Sequence, residues 1–471
     1  MSTLVSTRDL GEVTVNYSEA VLAGLAPDGG LYVPDSYPLL TDKEIVEMGA
    51  LGFVALATEV KGLFVDDAFT PDDVMGIMSR SYDSEKFPHT KEGIVTPARY
   101  LGDNIYAVNL SLGPTAAFKD MALQPLGQEM NHCLARTGQR LRILGATSGD
   151  TGSAAEAAVK GLDNVDIFML SPVEGMSDFQ KAQMGDLSGG NVVNISVEGR
   201  FDDCQDLVKL LKSDPEFADL GAVNSINWSR ISSQVAYYFS AYAQVAEHYG
   251  DPVDFVVPSG NFGNILAGYI AKKMGLPIRN LVAATNENSV LDELVQTGNY
   301  RTRPADITSS PSMDISKASN FERVAYDLFG QDPELLAHYM RLFEAEGSVK
   351  FSEVGLPNDL LLRAGFISGI STHKDRVASI RWAHDLSRTV IDPHTADAVT
   401  VARRLPKDGV PKVCLETALA VKFPEITEEA IGDVPAREPR FEALEDRVKA
   451  GAFTTILPDA DVLKELIRSR S

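Results

Sequence analysis

The sequence predicts an α/β protein with two parallel-sheet subdomains, helices on both sheet faces and a cleft between the halves. Three observations carry that expectation. Short apolar runs alternate with helix-patterned stretches between residues 141 and 284. Each passage from run to helix goes through a small polar loop. Two of those loops, one in each half, are rich in glycine. Repeated strand, loop and helix units imply parallel strands, because a parallel neighbour needs a long crossover and a helix supplies it. Ligands in such folds sit beyond the carboxyl ends of the strands.

Taken in order, 141–144 (LRIL) reads as a strand, followed by a Gly/Ser/Thr loop and the Ala-rich helix SAAEAAVKG at 153–161. VDIFML (165–170) and NVVNISV (191–197) are buried strands. FDDCQDLVKLLKS (201–213) has apolar residues at helical spacing and acidic residues in its first turn. In the second half, 254–257 (DFVV) enters PSGNFGN, which opens onto the helix ILAGYIAKKMG (265–275), and 281–284 (LVAA) is the next strand. Before these units lies a zone of mixed helical pattern. Its turn-rich segment at 25–38 holds a short strand at 31–33, stopped by Pro34. The polar stretch 81–93 reads as a connector.

The 471 residues are enough for about two to four domains. A net charge of -23 argues against a nucleic acid partner, whose phosphates such a field repels. An anionic substrate would then need local Arg, Lys or backbone N–H groups. Cys133, Cys204 and Cys414 are far apart, which disfavours a disulfide framework or zinc site and fits a reducing cytoplasm. The seven histidines, among them His89, His248 and His373, show no metal-binding spacing, so no metal is expected. The start lacks a basic segment followed by an apolar one, and no apolar run is long enough for a bilayer, so no membrane association is expected.

Four segments carry candidate chemistry. Lys119, in GPTAAFKDMALQ (113–124), stands among small and apolar residues. Desolvation penalises a charged amine. Two readings stand: a surface lysine whose stem lies along an apolar face, or a partly buried amine held as a Schiff base on a carbonyl cofactor. In SGNFGN (259–264), Gly260 and Gly263 allow several N–H groups to converge on one anion. The helix start adds a dipole term of about 0.3–1 kcal/mol when exposed. A plain strand-to-helix turn has the same composition. The dinucleotide and P-loop fingerprints are absent from the sequence. In GATSGDTGSAA (145–155), the hydroxyls of Thr147, Ser148 and Thr151 and the N–H groups of a helix start suit a carboxylate, while Asp150 or Thr151 equally suits a helix cap. In DPHTADA (392–398), His394 or Thr395 is a candidate cap for a helix through Leu405.

Together, and in this order, GPTAAFKD, ATSGDTG, PSGNFGNILAG and DPHTA resemble the motifs of the threonine synthases, fold-type II pyridoxal-phosphate enzymes. LAPDGGLYVP is similar to the N-terminal segment of the longer bacterial and fungal form, and NSINWSRI (224–231) and SNFERV (319–324) resemble further segments. The resemblance implies a tryptophan synthase β-like fold with an added N-terminal α+β segment. Residues 1–90 would be the N-terminal domain and 91–471 the catalytic region, with an inner subdomain at about 125–225 and an outer one at about 91–124 plus 226–471. It implies pyridoxal 5'-phosphate as cofactor, with Lys119 as the Schiff-base lysine. Gly260, Asn261, Phe262, Gly263 and Asn264 would surround the cofactor phosphate, and Thr395 would donate to the ring nitrogen. Thr147, Ser148, Gly149, Asp150 and Thr151 match the loop that holds the substrate carboxylate and, through Asp150, the ring oxygen. Arg230 is the favoured ligand for the substrate phosphate, with Asn227 and Lys317 behind it; a structural salt bridge is the alternative for each.

Two departures stand out. Leu112 occupies a position where the family often has His, and TALAVKF (417–423) lacks the His and Pro of the usual TAHPAKF. The implied activity converts O-phospho-L-homoserine and water into L-threonine and phosphate. The rivals are a dehydratase or phospho-lyase of the same fold that releases a keto acid, and a non-catalytic module binding a cofactor or phosphate ligand. A cytoplasmic monomer is expected ahead of a homodimer.

Overall fold

The computed structural model describes residues 3–9, 14–88, 90, 93–147, 149–174, 176–217, 220–221 and 225–470. The chain opens with β1 (Leu4–Ser6), β2 (Thr14–Val15), α1 (Tyr17–Ala23) and β3 (Tyr32–Pro34). These strands form an antiparallel sheet in the order β2-β1-β3. The expected short strand is there, and it includes Pro34 instead of stopping before it. An edge strand tolerates the missing N–H. Three helices follow: α2 (Asp42–Gly49), α3 (Phe53–Gly62) and α4 (Pro71–Ser81). Thr41 with Glu44, and Thr70 with Asp73, form capping boxes that start α2 and α4.

Next come β4 (Ala98–Gly102) and β5 (Ile105–Asn109), an antiparallel hairpin. Its two turn residues, Asp103 and Asn104, both have positive φ (52° and 59°), as a tight hairpin of matching twist requires. The chain continues through α5 (Asp120–Thr137), β6 (Leu141–Ala146), α6 (Asp150–Val159), β7 (Val165–Pro172), α7 (Asp178–Leu187), β8 (Val192–Val197), α8 (Phe201–Lys212) and β9 (Leu220–Gly221). Then follow α9 (Trp228–Val245), β10 (Val253–Pro258), α10 (Gly263–Lys273), β11 (Ile278–Thr285), α11 (Val290–Thr297), β12 (Asn299–Arg301), α12 (Phe321–Leu328), α13 (Pro333–Glu346) and β13 (Ser348–Lys350). The last elements are α14 (Leu360–Arg363), β14 (Phe366–Ile370), α15 (His373–Ser387), α16 (Pro393–Arg404), β15 (Lys412–Glu416), α17 (Pro424–Ile431), β16 (Phe453–Ile456) and α18 (Ala460–Arg468).

Two larger sheets result, as expected from the alternating units. One is five-stranded and parallel throughout, in the order β16-β8-β7-β6-β9. The other is six-stranded, in the order β14-β11-β10-β15-β5-β4, and parallel except for β4. Side chains alternate between faces along each strand. Phe255 and Val257 of β10 share a core with α9 and α10, whereas Val256 packs with α15 and α16. Likewise Ile167 and Met169 of β7 face the α5–α6 side, and Phe168 and Leu170 face α8 and α18. Helices thus cover both faces of both sheets. Strand β16 extends the five-stranded sheet by pairing with β8, although in sequence it lies far beyond the stretch at 125–225.

The N-terminal elements belong to the same apolar core as α5, α9 and α10. A buried polar knot fixes them there. Lys61 of α3 pairs with Glu129 of α5 at 2.9 Å, and both side chains are essentially inaccessible. The hydroxyls of Tyr17 (2.6 Å) and Ser229 (2.7 Å) donate to the other carboxylate oxygen. Lys61 also donates to Tyr17, Ser232 and the Ser229 carbonyl. Removing one partner of a buried ion pair leaves an uncompensated charge. Lys61→Ala is therefore expected to cost about 3–5 kcal/mol in denaturant unfolding. Lys61→Met combined with Glu129→Leu should cost less than the sum of the single changes.

Candidate active site

Two strand ends of the two large sheets meet at one cleft. Strand β10 ends at Pro258 and passes through 259–262 into α10. Strand β6 ends at Ala146, and α6 begins at Asp150 with Gly149 as its N-cap. Lys119, Thr151, Arg230, Gln234, the whole 258–264 loop, Ser312, Met313, Asn320, His394 and Thr417 line this cleft.

Lys119 is half-buried and immediately precedes α5. The loop that carries it turns at Ala116, which has φ 56°. It is held from behind by 417–419: Phe118 N–H donates to the Thr417 carbonyl and Leu419 N–H to the Ala116 carbonyl. The N–H and hydroxyl of Thr115 both donate, at 2.8 Å, to Asp120, the first residue of α5. Gly113 makes room for this: a Cβ there would stand 2.6 Å from the Asp120 side chain. Burial pushes the Lys119 amine down to about 8, with the cations of Lys422 and Arg230 acting in the same direction and the carboxylates of Asp150 and Asp120 against it. Burial likewise pushes the Asp120 carboxyl up to about 6.

The 259–264 loop joins the end of β10 to the start of α10. Phe262 caps α10 with φ 63°, a backbone region bulky residues rarely occupy and one often found at functional sites. Its ring is fixed edge-on against Phe321. A Cβ on Gly260 would approach Ile315 to 3.3 Å, and one on Gly263 would approach the Asn320 amide to 3.2 Å. Asn264 accepts from Tyr237 (2.7 Å) and Tyr238 (3.0 Å) through its side-chain oxygen. Its Nδ2, and the hydroxyl of Ser259, are buried without a hydrogen-bond partner among the described residues. Unsatisfied donors at a helix N-terminus are what a phosphate group would complete.

Across the cleft, Asp150 begins α6 and does not cap it: the N-cap is Gly149, at φ 144°. The Asp150 carboxylate pairs with Lys422 at 2.5 Å and accepts from Gln180 (3.0 Å) and Ser312 (3.2 Å). The neighbouring cations Lys422 and Lys119 hold it far below the usual carboxylate range despite burial. Thr147 is buried, with its hydroxyl accepting from the N–H groups of Gly149 and Gly152. Ser148 lies outside the described residues.

The 392–398 turn differs from the expected cap. Asp392 is the N-cap of α16, with Pro393 in the first turn. Its carboxylate accepts from the N–H and Nδ1 of His394 and from the N–H and hydroxyl of Thr395. Ser312 N–H donates to His394 Nε2 at 3.0 Å, so the imidazole proton sits on Nδ1. The Thr395 hydroxyl proton goes to Asp392 in this arrangement.

The structure thus brings Lys119, Thr151, Arg230 and 260–264 into one cleft; Asp150 stands one contact behind its wall through Ser312, and Thr395 follows the lining residue His394 but bonds to Asp392, which does not line the cleft. Asn227 and Lys317 are not among the lining residues. Asn227 caps α9 and donates to the Val21 carbonyl. Lys317 is exposed and lies over the Phe343 ring. Arg230 is buried and pushed down to about 10 by desolvation, so it remains a cation near neutrality. Sequence reasoning missed Lys422 and Ser312, and took His394 only as a cap. Lys422 sits in the stretch noted for its missing His and Pro, and Asp-Pro before a helix is itself a cap signal.

Two parallel-sheet units around a lysine and an oxyanion loop define a class, and residues 94–348 match the model described as pyridoxal-phosphate dependent enzyme. Pyridoxal phosphate is the cofactor of that class, and the unsatisfied donors at 259–264 fit its phosphate. Residues 3–82 match the model of the threonine synthase N terminus and 395–467 that of the threonine synthase C-terminal region, so the chain belongs to the threonine synthase family. It is 47% identical to a threonine synthase of Corynebacterium glutamicum over 98% of this chain and 97% of that one. A crystal structure of pyridoxal-phosphate-bound threonine synthase from Brucella melitensis superposes with a TM-score of 0.94 at 39% identity, covering 100% of both chains. The yeast enzyme superposes at 0.91 with 33% identity, covering 99% of this chain and 98% of that one. Asn264→Asp, which replaces a free donor by an acceptor, is expected to weaken pyridoxal-phosphate binding about 10- to 100-fold. Fluorescence titration of the apo chain would measure it.

Proposed function

We propose that the protein converts O-phospho-L-homoserine and water into L-threonine and inorganic phosphate. The observation supporting this most directly is one cleft that joins a half-buried amine, Lys119, to two separate features suited to anions, the 259–264 loop and Arg230. A phosphorylated cofactor and a phosphorylated substrate need two such features. Bound there, pyridoxal phosphate supplies an electron sink for carbanions beside the substrate nitrogen.

The protein's own groups divide the remaining work. Lys119 Nζ holds the cofactor covalently and, once released, is the base for the Cα proton and then the Cβ proton. Its lowered amine pKa makes the neutral form available near physiological pH. Gly260, Asn261, Phe262, Gly263 and Asn264 hold the cofactor phosphate through backbone N–H groups and the Asn264 amide. Thr147, Ser148, Gly149 and Thr151 form the loop for the substrate carboxylate, with Asp150 near the ring oxygen and Thr395 near the ring nitrogen. Arg230 takes the substrate phosphate and stabilises it as a leaving group, with Lys317, which shares a pocket with Ser259 and Gly260, behind it; Asn227 is engaged in capping α9 and in its bond to the Val21 carbonyl. In this reading 1–90 form the N-terminal domain and 91–471 the catalytic region of a cytoplasmic monomer. Among the described residues no helix is long and apolar enough to cross a membrane.

Incubating holoenzyme with O-phosphohomoserine should release threonine and phosphate in equal amounts. A keto acid in place of threonine would overturn the reading in favour of a lyase. Lys119→Ala should lower turnover about a thousandfold or more and abolish borohydride-fixable cofactor. Arg230→Ala should raise KM for the phosphorylated substrate about 10- to 100-fold, and an unchanged KM would remove Arg230 from the site.

A further inference from the structure

The Lys422 side chain is fully buried, and its ammonium joins the two loops that meet at the cleft. Nζ stands 2.5 Å from Asp150, at the start of α6, and donates at 3.1 Å to the Thr115 carbonyl, in the loop leading to Lys119. Thr115 in turn clamps Asp120, the residue after Lys119. The segment that carries Lys422 also backs the Lys119 loop through the bonds of 417 and 419 to 118 and 116. Nothing assigned so far to this site uses Lys422.

We propose that Lys422 is a positioning residue for Lys119: its ammonium ties the Asp150 loop to the Lys119 loop and sets the electrostatic surroundings of the Lys119 amine. The inference rests on the reading of Lys119 as the cofactor-bearing lysine. The groups facing that amine can be named from each side. Asp120 follows it on α5, Asp150 comes from α6, Arg230 from α9 and Lys422 from the 417–422 segment, while His394 of α16 lines the same cleft. Of these, Lys422 and Arg230 disfavour a charged Lys119, and the two carboxylates favour it. Lys422 therefore acts twice. It is a like charge near Lys119, and it occupies the Asp150 carboxylate, which would otherwise be left to attract the Lys119 ammonium.

Removing the charge at 422 has a defined sign. Without it, Lys119 keeps its proton to higher pH. Only the neutral amine adds to an aldehyde carbon; the addition then loses water to give the carbon–nitrogen double bond. The pH profile of cofactor capture must move to the alkaline side. Removing the charge at Asp150 must move the profile the other way. A purely structural role for Lys422 would slow capture at every pH without moving the midpoint.

The experiment is stopped-flow capture of pyridoxal phosphate by the apo full-length chain from pH 6 to 10, with covalent attachment fixed by borohydride and located by mass spectrometry. Lys422→Met is expected to move the midpoint by about one pH unit to the alkaline side. Lys422→Arg, which keeps a cation, should restore most of the wild-type profile. Asp150→Asn should move the midpoint to the acid side, and it keeps the test decisive if Lys422→Met fails to fold. Unmoved midpoints, or shifts of the same sign at 422 and 150, would overturn the proposal. Lys119→Ala is the control for the underlying reading: attachment that persists in that variant overturns the role of Lys119, whereas attachment confined to Lys119 with unmoved midpoints overturns only the role of Lys422.

Discussion

The site depends on keeping one amine, that of Lys119, largely out of water at the start of a helix. Both features disfavour its charge: desolvation penalises an ammonium, and the N-terminal end of a helix carries partial positive charge. The fold offsets this without cancelling it. Asp120 is held by two hydrogen bonds from Thr115, so it stays beside the lysine and does not wander across the cleft. Asp150 is already paired with Lys422. The amine is left lowered to about 8, so that a neutral fraction is present near physiological pH. Two non-glycine residues at positive φ, Ala116 and Phe262, stand in the loops that create this enclosure. Strained backbone of this kind persists only where the surroundings over-determine it, and here it is fixed by the 417–419 segment and by the Phe321 ring.

That enclosure needs a frame that does not slide, and the N-terminal elements contribute to it. Helix α5 starts just after Lys119 and carries Glu129, while α9 carries Ser229 beside Arg230; the Lys61 knot ties both helices to α3. A second buried cation works on the opposite wall. Arg323 donates to the Tyr32 carbonyl of β3 (2.9 Å), to the Asn320 side chain (2.8 Å) and to the Ile226 carbonyl (2.6 Å). Asn320 lines the cleft and binds the Asn261 carbonyl. The N-terminal sheet thus reaches the oxyanion loop through one guanidinium, although it lies outside the cleft in sequence.

How much of this was legible in sequence depended on how local the cause was. Parallel strands announce themselves as apolar runs, so β6, β7, β8 and β10 are read nearly to their ends, whereas the run at 281–284 marks only the inner half of β11 (Ile278–Thr285), whose first residues include Arg279 and Asn280. Glycine-rich loops are legible for two different reasons: Gly149 has a φ of 144° that other residues rarely adopt, whereas Gly260 and Gly263 leave room for Ile315 and Asn320. The hairpin at 103–104 was not legible, since Asp-Asn is a weaker sign of paired positive φ than Asn-Gly. Strand β16 was missed as a neighbour of β8 because no local pattern encodes pairing across more than two hundred residues. The site divides the same way. Lys119 and 260–264 stand in distinctive strings. Lys422 stands in a string that departs from the family's usual wording, and its importance comes from Asp150 and Thr115, both distant in sequence. Asn227 and Lys317 are placed by proximity in matched segments; in the structure Asn227 caps α9 and bonds the Val21 carbonyl, while Lys317 lies over the Phe343 ring and shares a pocket with Ser259 and Gly260.

The overall charge of -23 and the binding of an anionic cofactor, pyridoxal phosphate, are reconciled by distance and burial. At physiological ionic strength surface charges are screened over about 8 Å, so the acidic exterior acts mainly on the approach of an anion. Within the cleft, screening is weak and individual cations dominate. Arg230 stays protonated there despite its burial, and the 259–264 loop adds attraction through N–H groups that carry no net charge to desolvate. Donors without net charge at 259–264 leave Lys422 and Arg230 as the cations that act on the Lys119 amine. A cationic side chain at the 259–264 loop would disfavour the charged form of Lys119 further, as Lys422 and Arg230 already do. The neutral, glycine-lined cradle is therefore part of the same electrostatic balance that keeps the amine useful.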